Sequence, residues 1–348
     1  MRREAEYPVV IAIIPAMIAM VVARSGGPEG LELREQPDPQ PRPDEVVVKV
    51  HAAGLNFADL ISASGGYSGV PDPPFIAGRE FSGMVESTGE PVMGYTQWGA
   101  FAGKVAAKRA LLWPKPERFS FAQAAAFPVN YFTAWFAYWR AGLTPGAEGK
   151  TQGSALREKH GARTRPRVLI HAVAGGVGTA AVEIGRALGV EMFGTASSET
   201  KLTRARELGL DHGINYTRED YEERIAELTS GEGVNAVFEM LGGEHTAKSV
   251  RCLAFLGSVV TYGAATGSVS RMDPRILYAR NTSVHGLWLS RLAEQPKIMI
   301  EAWERLSHWI EGGILQPVVG HTLPLEKAAD AYRIMMERKN VGKIVLEV

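Results

Sequence analysis

The sequence predicts an α/β protein built in two units: a compact, barrel-like β unit, then a doubly wound parallel sheet. Two features carry the prediction. Up to about residue 130, β-branched runs are separated by Pro- and Gly-rich turns, and from residue 167 strands alternate with helices. A third feature, the stretch "HAVAGGVGTAAVEIGRALG" (171–189), falls at the first strand-to-helix junction of that alternation.

Bulk properties set the limits. A chain of 348 residues has room for two domains with a sizeable core. Lys plus Arg (38) balance Asp plus Glu (38), so no global field draws the chain to nucleic acid or to an acidic membrane. The single cysteine, Cys252, excludes an intramolecular disulfide and any multi-cysteine zinc site, and fits a reducing, cytoplasmic setting.

At the N-terminus, "MRREAEYPVVIAIIPAMIAMVVA" carries arginines and then an apolar run from Pro8 to Ala23, with a faint signal-peptide look. The run is shorter than the about 20 residues of a comfortable membrane span, so no stable membrane insertion is expected. Residues 1–16 read as a leader outside the fold. "MIAMVVARSGGPEGLELRE" then reads as strand, Gly-Gly-Pro turn and strand. "EVVVKVHAAG", "FIAGREFSGMVEST" and "FAGKVAAKRALLWPKP" continue in the same β style, the second with a glycine-marked bend. "SFAQAAAFPVNYFTAWFAYWRAG" has helical spacing broken by Pro128, and the polar, basic segment 149–166 reads as an inserted surface loop.

The alternation follows. Strands "RVLIHAV", "VEMFGTA", "DHGINY", "VNAVFEML", "GSVVTYGA" and "TSVHGLWL" are separated by helices such as "GVGTAAVEIGRALG", "SETKLTRARELG", "REDYEERIAELTSG" and "GEHTAKSVRCLA". Such βαβ units build a parallel sheet covered on both faces. A last long helix ("EQPKIMIEAWERLSHWIEGG") precedes a terminal strand, "GKIVLEV", which returns to the first unit.

In this context the glycine loop reads as a dinucleotide site. Gly175 and Gly176 permit a tight turn and close approach of a pyrophosphate, and Gly178 lets the helix pack on the strand. With Ala174 and Val177 they form A-G-G-V-G rather than the full G-x-G-x-x-G. The N–H groups at the helix start face the phosphates. About 20 residues on, an Asp or Glu would hold the ribose hydroxyls of NAD. The chain instead reads "TASSETK": Ser197 and Ser198 are neutral donors and Lys201 is a cation, with Tyr216 adding a hydroxyl after the next strand. Glu199 falls in the first turn of the next helix. This pocket favours NADPH. Ser198 also reads as a helix N-cap.

Several stretches together resemble the medium-chain dehydrogenase/reductase superfamily, and within it the zinc-free quinone oxidoreductases: "AAGLNFADL" (52–60), "AGREFSGMVESTG" (77–89), "AAAFPVNYFTAWFA" (124–137), "AGGVG" (174–178), "FGTASS" (193–198), "DHGINY" (211–216) and "NVGKIVLEV" (340–348). "VNYFTAW" and "VVTYG" are most similar to vesicle amine transport protein homologues, and "GLWLSR" (286–291) is similar to 2-enoyl thioester reductases. The resemblance implies a GroES-like catalytic domain over 17–135 and 292–348. It also implies a Rossmann domain over 136–291, paired edge to edge in a homodimer. The chain departs from the pattern after "ESTG", where several residues ending in Gly-Asp are lacking, and in the 149–166 insertion.

Zinc-dependent relatives take ligands from a Cys, a His in "GHE" and a later Cys. The matching positions here hold Asn56, Arg79 and the Val129–Asn130 stretch, none of them a good zinc ligand. No metal is expected, and the eight histidines show no ligand spacing. Without a Lewis acid, an acceptor that is already electrophilic fits best: a quinone, or an alkene conjugated to a carbonyl. By resemblance to related enoyl reductases Tyr67 is either a proton donor in the cleft or an aromatic that packs its turn. Asn56 and Asp59 either bind substrate or, for Asp59, cap a helix. Asn130 and Thr133 lie near the nicotinamide, with Thr133 also a catalytic candidate, and Gly263, Leu287 and Trp288 either line the nicotinamide or pack the core. Arg79 either binds an anionic group or pairs near Glu80. Two other readings stay open: a 2-enoyl thioester reductase, and a non-catalytic NADPH-binding protein.

Overall fold

The computed structural model describes residues 16–145 and 165–348. The expected leader, apart from Ala16, and all of the expected insertion except its last two residues lie outside the described residues.

The first unit is built from β1 (Ala16–Val22), β2 (Leu31–Pro37), β3 (Glu45–Leu55), β4 (Phe75–Ile76), β5 (Glu80–Val85), β6 (Pro91–Tyr95), β7 (Lys104–Lys108) and β8 (Leu112–Pro114). Helices α1 (Phe57–Ala63), α2 (Phe121–Ala125) and α3 (Pro128–Arg140) are set among and after them. Alternation of buried and exposed positions along β3 explains the strand: Val46, Val48 and Val50 point inward. The glycine-marked bend is Gly78, with φ of +93° and a Cβ position only 2.2 Å from the Phe101 ring, so no other residue fits there.

The second unit contains β9 (Arg167–Ile170), α4 (Gly176–Ala187), β10 (Glu191–Ala196), α5 (Glu199–Leu208), β11 (His212–Asn215), α6 (Tyr221–Leu228), β12 (Val234–Glu239), α7 (Glu244–Arg251), β13 (Leu253–Thr261) and β14 (Ser283–Gly286). The chain closes with α8 (Leu289–Leu292), α9 (Pro296–Glu311), β15 (Val319–Pro324), α10 (Ala328–Met336) and β16 (Lys343–Glu347). The six-stranded sheet has the order β11-β10-β9-β12-β13-β14, every pair parallel. Strand order reverses between β9 and β12, the position where doubly wound sheets open a crevice. One difference from the sequence reading is β13, which begins at Leu253 rather than at Gly257. Leu253 is fully buried against the neighbouring strand, and burial outweighs the helical spacing before it.

β16 enters the first sheet between β15 and β3, giving the order β15-β16-β3-β5-β6-β8 with β7 also on β3. Between the two sheets lies an aromatic core. Phe127 stacks on Tyr131 at 4.3 Å, Trp113 lies tilted against Phe132 at 4.5 Å, and Trp135 meets Trp309 edge-on. No helix of the described residues is long and apolar enough to cross a membrane.

A buried carboxyl ties this core together. Glu183 of α4 accepts the Tyr131 hydroxyl at 2.5 Å and the Gln316 N–H at 3.1 Å. Burial raises its pKa from 4.5 to about 7, against the pull of those hydrogen bonds and of Arg186. A pKa raised by folding means that this group stabilises fully below its unfolded value, and that the contribution is lost as pH rises through about 7. The neutral isostere Glu183→Gln should therefore raise the Tm at pH 8 and flatten its fall between pH 5 and 8. Each pH unit removed is worth about 1.4 kcal/mol. Thermal melts of both proteins across that range check it.

Candidate active site

The glycine loop sits at the strand-order reversal. Gly175 is the N-cap of α4. A Cβ on Gly178 would lie 2.4 Å from the Ala172 carbonyl oxygen and 2.6 Å from that of Val173, both rigid backbone. At Gly176 a Cβ would lie 2.6 Å from the Asn130 amide, so the side chain of α3 rests against the loop. The first N–H groups of α4 have no intrahelical partner and are available to an anion. Ala174 and Val177 complete the loop, and the Ala174 carbonyl accepts the Gly342 N–H at 2.7 Å.

Behind the loop, His171 is buried between Thr195 (3.0 Å) and Ser249 (3.1 Å). Burial, with His245 and Lys248 nearby, pushes it down to about 3, so it stays neutral and structural.

At the end of β10, Ser198 caps α5 by accepting the Lys201 N–H at 3.4 Å, and Glu199 falls in the first turn. Ser197 is half-buried beside it, and Tyr216 leaves β11 on the same rim, its N–H on the Ala196 carbonyl. The Lys201 ammonium donates to the Arg338 carbonyl at 2.5 Å. Burial and the nearby Arg338 charge lower its pKa. Among the described residues neither Lys201 nor Arg338 has a carboxylate partner, and the two cations lie near one another. Arg338 was not picked out from the sequence. It lies 137 positions from Lys201 and sits in a segment with no motif of its own.

The residues expected at the nicotinamide come from both units. Asn130 and Thr133, on one face of α3, are buried, as is Leu287. Gly263 follows β13, with its Cβ position 3.1 Å from the Met240 carbonyl oxygen. Trp288 is 38% exposed, and its indole N–H donates to the Tyr67 hydroxyl at 2.8 Å. That bond occupies a lone pair of the phenol and leaves its own hydrogen to donate. The Arg79 guanidinium stacks on the Tyr67 ring, 4.0 Å from the centroid. Nearby, the Tyr95 hydroxyl shares a hydrogen bond with Ser290 (2.7 Å), so the two units meet twice along this wall.

Asn56 and Asp59 are placed differently from the substrate-binding expectation. The Asn56 amide donates to Glu80 Oε1 (2.8 Å) and to the Gly54 carbonyl (3.3 Å), and its oxygen accepts from Lys343 Nζ at 2.5 Å. No donor is left for a ligand. Asp59 accepts the Asn56 N–H at 2.8 Å and pairs with Arg79 at 3.3 Å, both carboxylate and guanidinium almost wholly buried. Burial outweighs Arg79 and lifts Asp59 to about 6. Asp59 is thus a helix cap and counter-ion. Arg79, which also donates to Ser62 at 2.6 Å, pairs with Asp59 rather than near Glu80 or with an external anion. Glu80 binds Lys343 and accepts the Val129 N–H at 2.7 Å, capping α3. Neither Glu80 nor Lys343 was singled out in sequence. A charge inside an apolar strand was the available signal in "GREFSG" and "GKIVLEV".

Residues 42–117 match the alcohol dehydrogenase GroES-like domain, and residues 176–309 match the family described as zinc-binding dehydrogenase. A quinone oxidoreductase-like protein 2 homolog of Nematostella vectensis is 32% identical over 317 residues, covering 87% of this chain and 81% of that protein. The chain belongs to the medium-chain dehydrogenase/reductase superfamily. Within that superfamily, the synaptic vesicle membrane protein VAT-1 homolog of Rattus norvegicus is 33% identical, covering 95% of this chain and 84% of that protein. Among solved structures, the quinone oxidoreductase of Thermus thermophilus, determined alone and with NADPH, superposes with a TM-score of 0.80 at 34% identity, covering 95% of this chain and all of that one. The Escherichia coli quinone oxidoreductase complexed with NADPH gives 0.81 at 27%, with the same coverage. The superfamily includes zinc enzymes, but the residues here do not fit that metal. The described residues hold no group of three or more His, Cys, Asp or Glu able to bind a metal ion, and the positions matched to zinc ligands carry Asn56, the Val129–Asn130 stretch and an ion-paired arginine, Arg79.

Proposed function

We propose that the protein is an NADPH-dependent, zinc-independent reductase that passes hydride to a quinone or an α,β-unsaturated carbonyl. The observation that carries the reading is the Tyr67 hydroxyl. It is held by the Trp288 indole from the other unit, with its own hydrogen free. Bound NADPH supplies the hydride. The start of α4 holds the pyrophosphate, while Lys201 and Arg338 hold the 2′-phosphate with help from Ser197 and Tyr216. Thr133 and Gly263 shape the nicotinamide pocket. Tyr67 donates its hydrogen bond, then its proton, to the oxygen on which charge develops. Arg79 is spent on Asp59, Ser62 and the Tyr67 ring, which takes away the cation that a thioester carrier would have needed there. A homodimer through the edge strand β14 belongs to the same reading.

NADPH oxidation with 9,10-phenanthrenequinone, 1,4-benzoquinone and crotonyl-CoA tests it. Turnover of the first two, unchanged after dialysis against a chelator, is expected. Tight NADPH binding without turnover of any acceptor would instead favour a non-catalytic binding protein. Lys201→Ala should weaken NADPH by about 1 to 3 kcal/mol and leave NADH binding unchanged, the worth of a hydrogen bond to a charged group. Arg338→Ala should act in the same direction. Equal losses for both dinucleotides would show that these cations do not read the 2′-phosphate.

A further inference from the structure

Asn56, and Asn130 from the Val129–Asn130 stretch, turn their side-chain oxygens to one atom, the Lys343 ammonium. It lies 2.5 Å from Asn56 Oδ1 and 3.5 Å from Asn130 Oδ1, and is ion-paired with Glu80. An ammonium has three hydrogens, and three oxygens from three separate elements receive them. The side chains of Lys343 and Glu80 are 3% and 0% exposed, so water does not share in this arrangement.

The backbone beside Lys343 reaches the same place by another route. The Gly342 N–H holds the Ala174 carbonyl of the pyrophosphate loop, and Gly342 and Gly175 form a parallel bridge. Gly342 has φ of +66°, with its Cβ position 2.4 Å from the Val318 carbonyl oxygen, so this crossing is fixed. Asn130 in turn rests on Gly176 of that loop. Two consecutive residues of the terminal segment therefore grip the loop, one directly and one through Asn130.

We propose that Lys343 is a positioning residue for the cofactor. Its tethered ammonium organises Asn56 and Asn130, and it sets the loop against α3 in the geometry that binds NADPH. Asn130, not Lys343, touches the cofactor. The inference rests on the reading that NADPH lies along this crevice.

The test is NADPH titration by nicotinamide fluorescence, with thermal melts alongside. Lys343→Met with Glu80→Gln removes both charges and avoids leaving a bare buried carboxylate. This double variant should melt close to the wild type yet bind NADPH about 5- to 10-fold more weakly, the size of a coupled-residue effect. Its KM for NADPH should rise more than its kcat falls. Added to Asn130→Ala, the two changes should cost nothing further, because Lys343 acts through that amide. If the double variant does not fold, Lys343→Arg keeps Glu80 compensated, but its planar guanidinium cannot meet the same three oxygens, and the same weakening is expected. A wild-type Kd in a folded variant, or a loss that adds to that of Asn130→Ala, would overturn the proposal. Failure of the wild type itself to bind NADPH would overturn the cofactor reading instead.

Discussion

Tyr67→Phe should lower kcat for enone reduction by about 100-fold, the lower end of what a positioned general acid contributes. The substitution deletes one oxygen and keeps the ring, so the stack on Arg79 and the edge-on contact with Trp288, at 6.2 Å between centroids, both survive. NADPH binding should therefore stay as it is, which separates loss of the acid from loss of the pocket. Quinones should suffer less, about 10-fold, because the reduced ring already spreads the charge that an enolate concentrates on one oxygen. Trp288→Phe removes the donor that fixes the phenol and should give a smaller loss of the same kind. Steady-state kinetics on an enone and a quinone, beside an NADPH titration, decide the matter. Activity of Tyr67→Phe within twofold of the wild type on both acceptors would remove Tyr67 from the chemistry.

Gly178→Ala should cost about 100-fold in NADPH affinity, roughly 3 kcal/mol, at the upper end of overpacking strain. The added methyl would meet two backbone carbonyl oxygens, and neither can move without displacing the loop between β9 and α4. That displacement turns the helix N-terminus away from the pyrophosphate. Fluorescence titration measures the loss, and melting with saturating NADPH should show a reduced upward shift in Tm. An unaltered Kd would mean that the pyrophosphate is held elsewhere.

What the sequence could reveal depended on how local each cause is. The parallel sheet and the glycine loop were legible because a strand, a turn and a helix start are each specified by neighbouring residues. That β10 is followed by Ser197 and Ser198 rather than by a carboxylate was legible for the same reason. Asn56 was misread because the roles of its amide are set by Glu80 and by Lys343, which come from distant parts of the chain. Asp59 allowed two readings, and its bonds to the Asn56 N–H and to the buried Arg79 decide for cap and counter-ion. Arg338 and Lys343 gave little local signal, since each acquires its meaning from residues brought to it by the terminal strand.

That strand also sets an order of assembly. Every strand of the parallel sheet comes from the contiguous stretch between Arg167 and Gly286, whereas β3 waits for β16, with Ala53 opposite Leu346. On a ribosome, the unit made first would thus be the last to close. Its open edge along β3 would stay exposed while the rest of the chain emerges. Pairings so distant along the chain form slowly and leave strand edges prone to aggregation. Recovery of the protein on expression should depend on how long that edge stands uncovered.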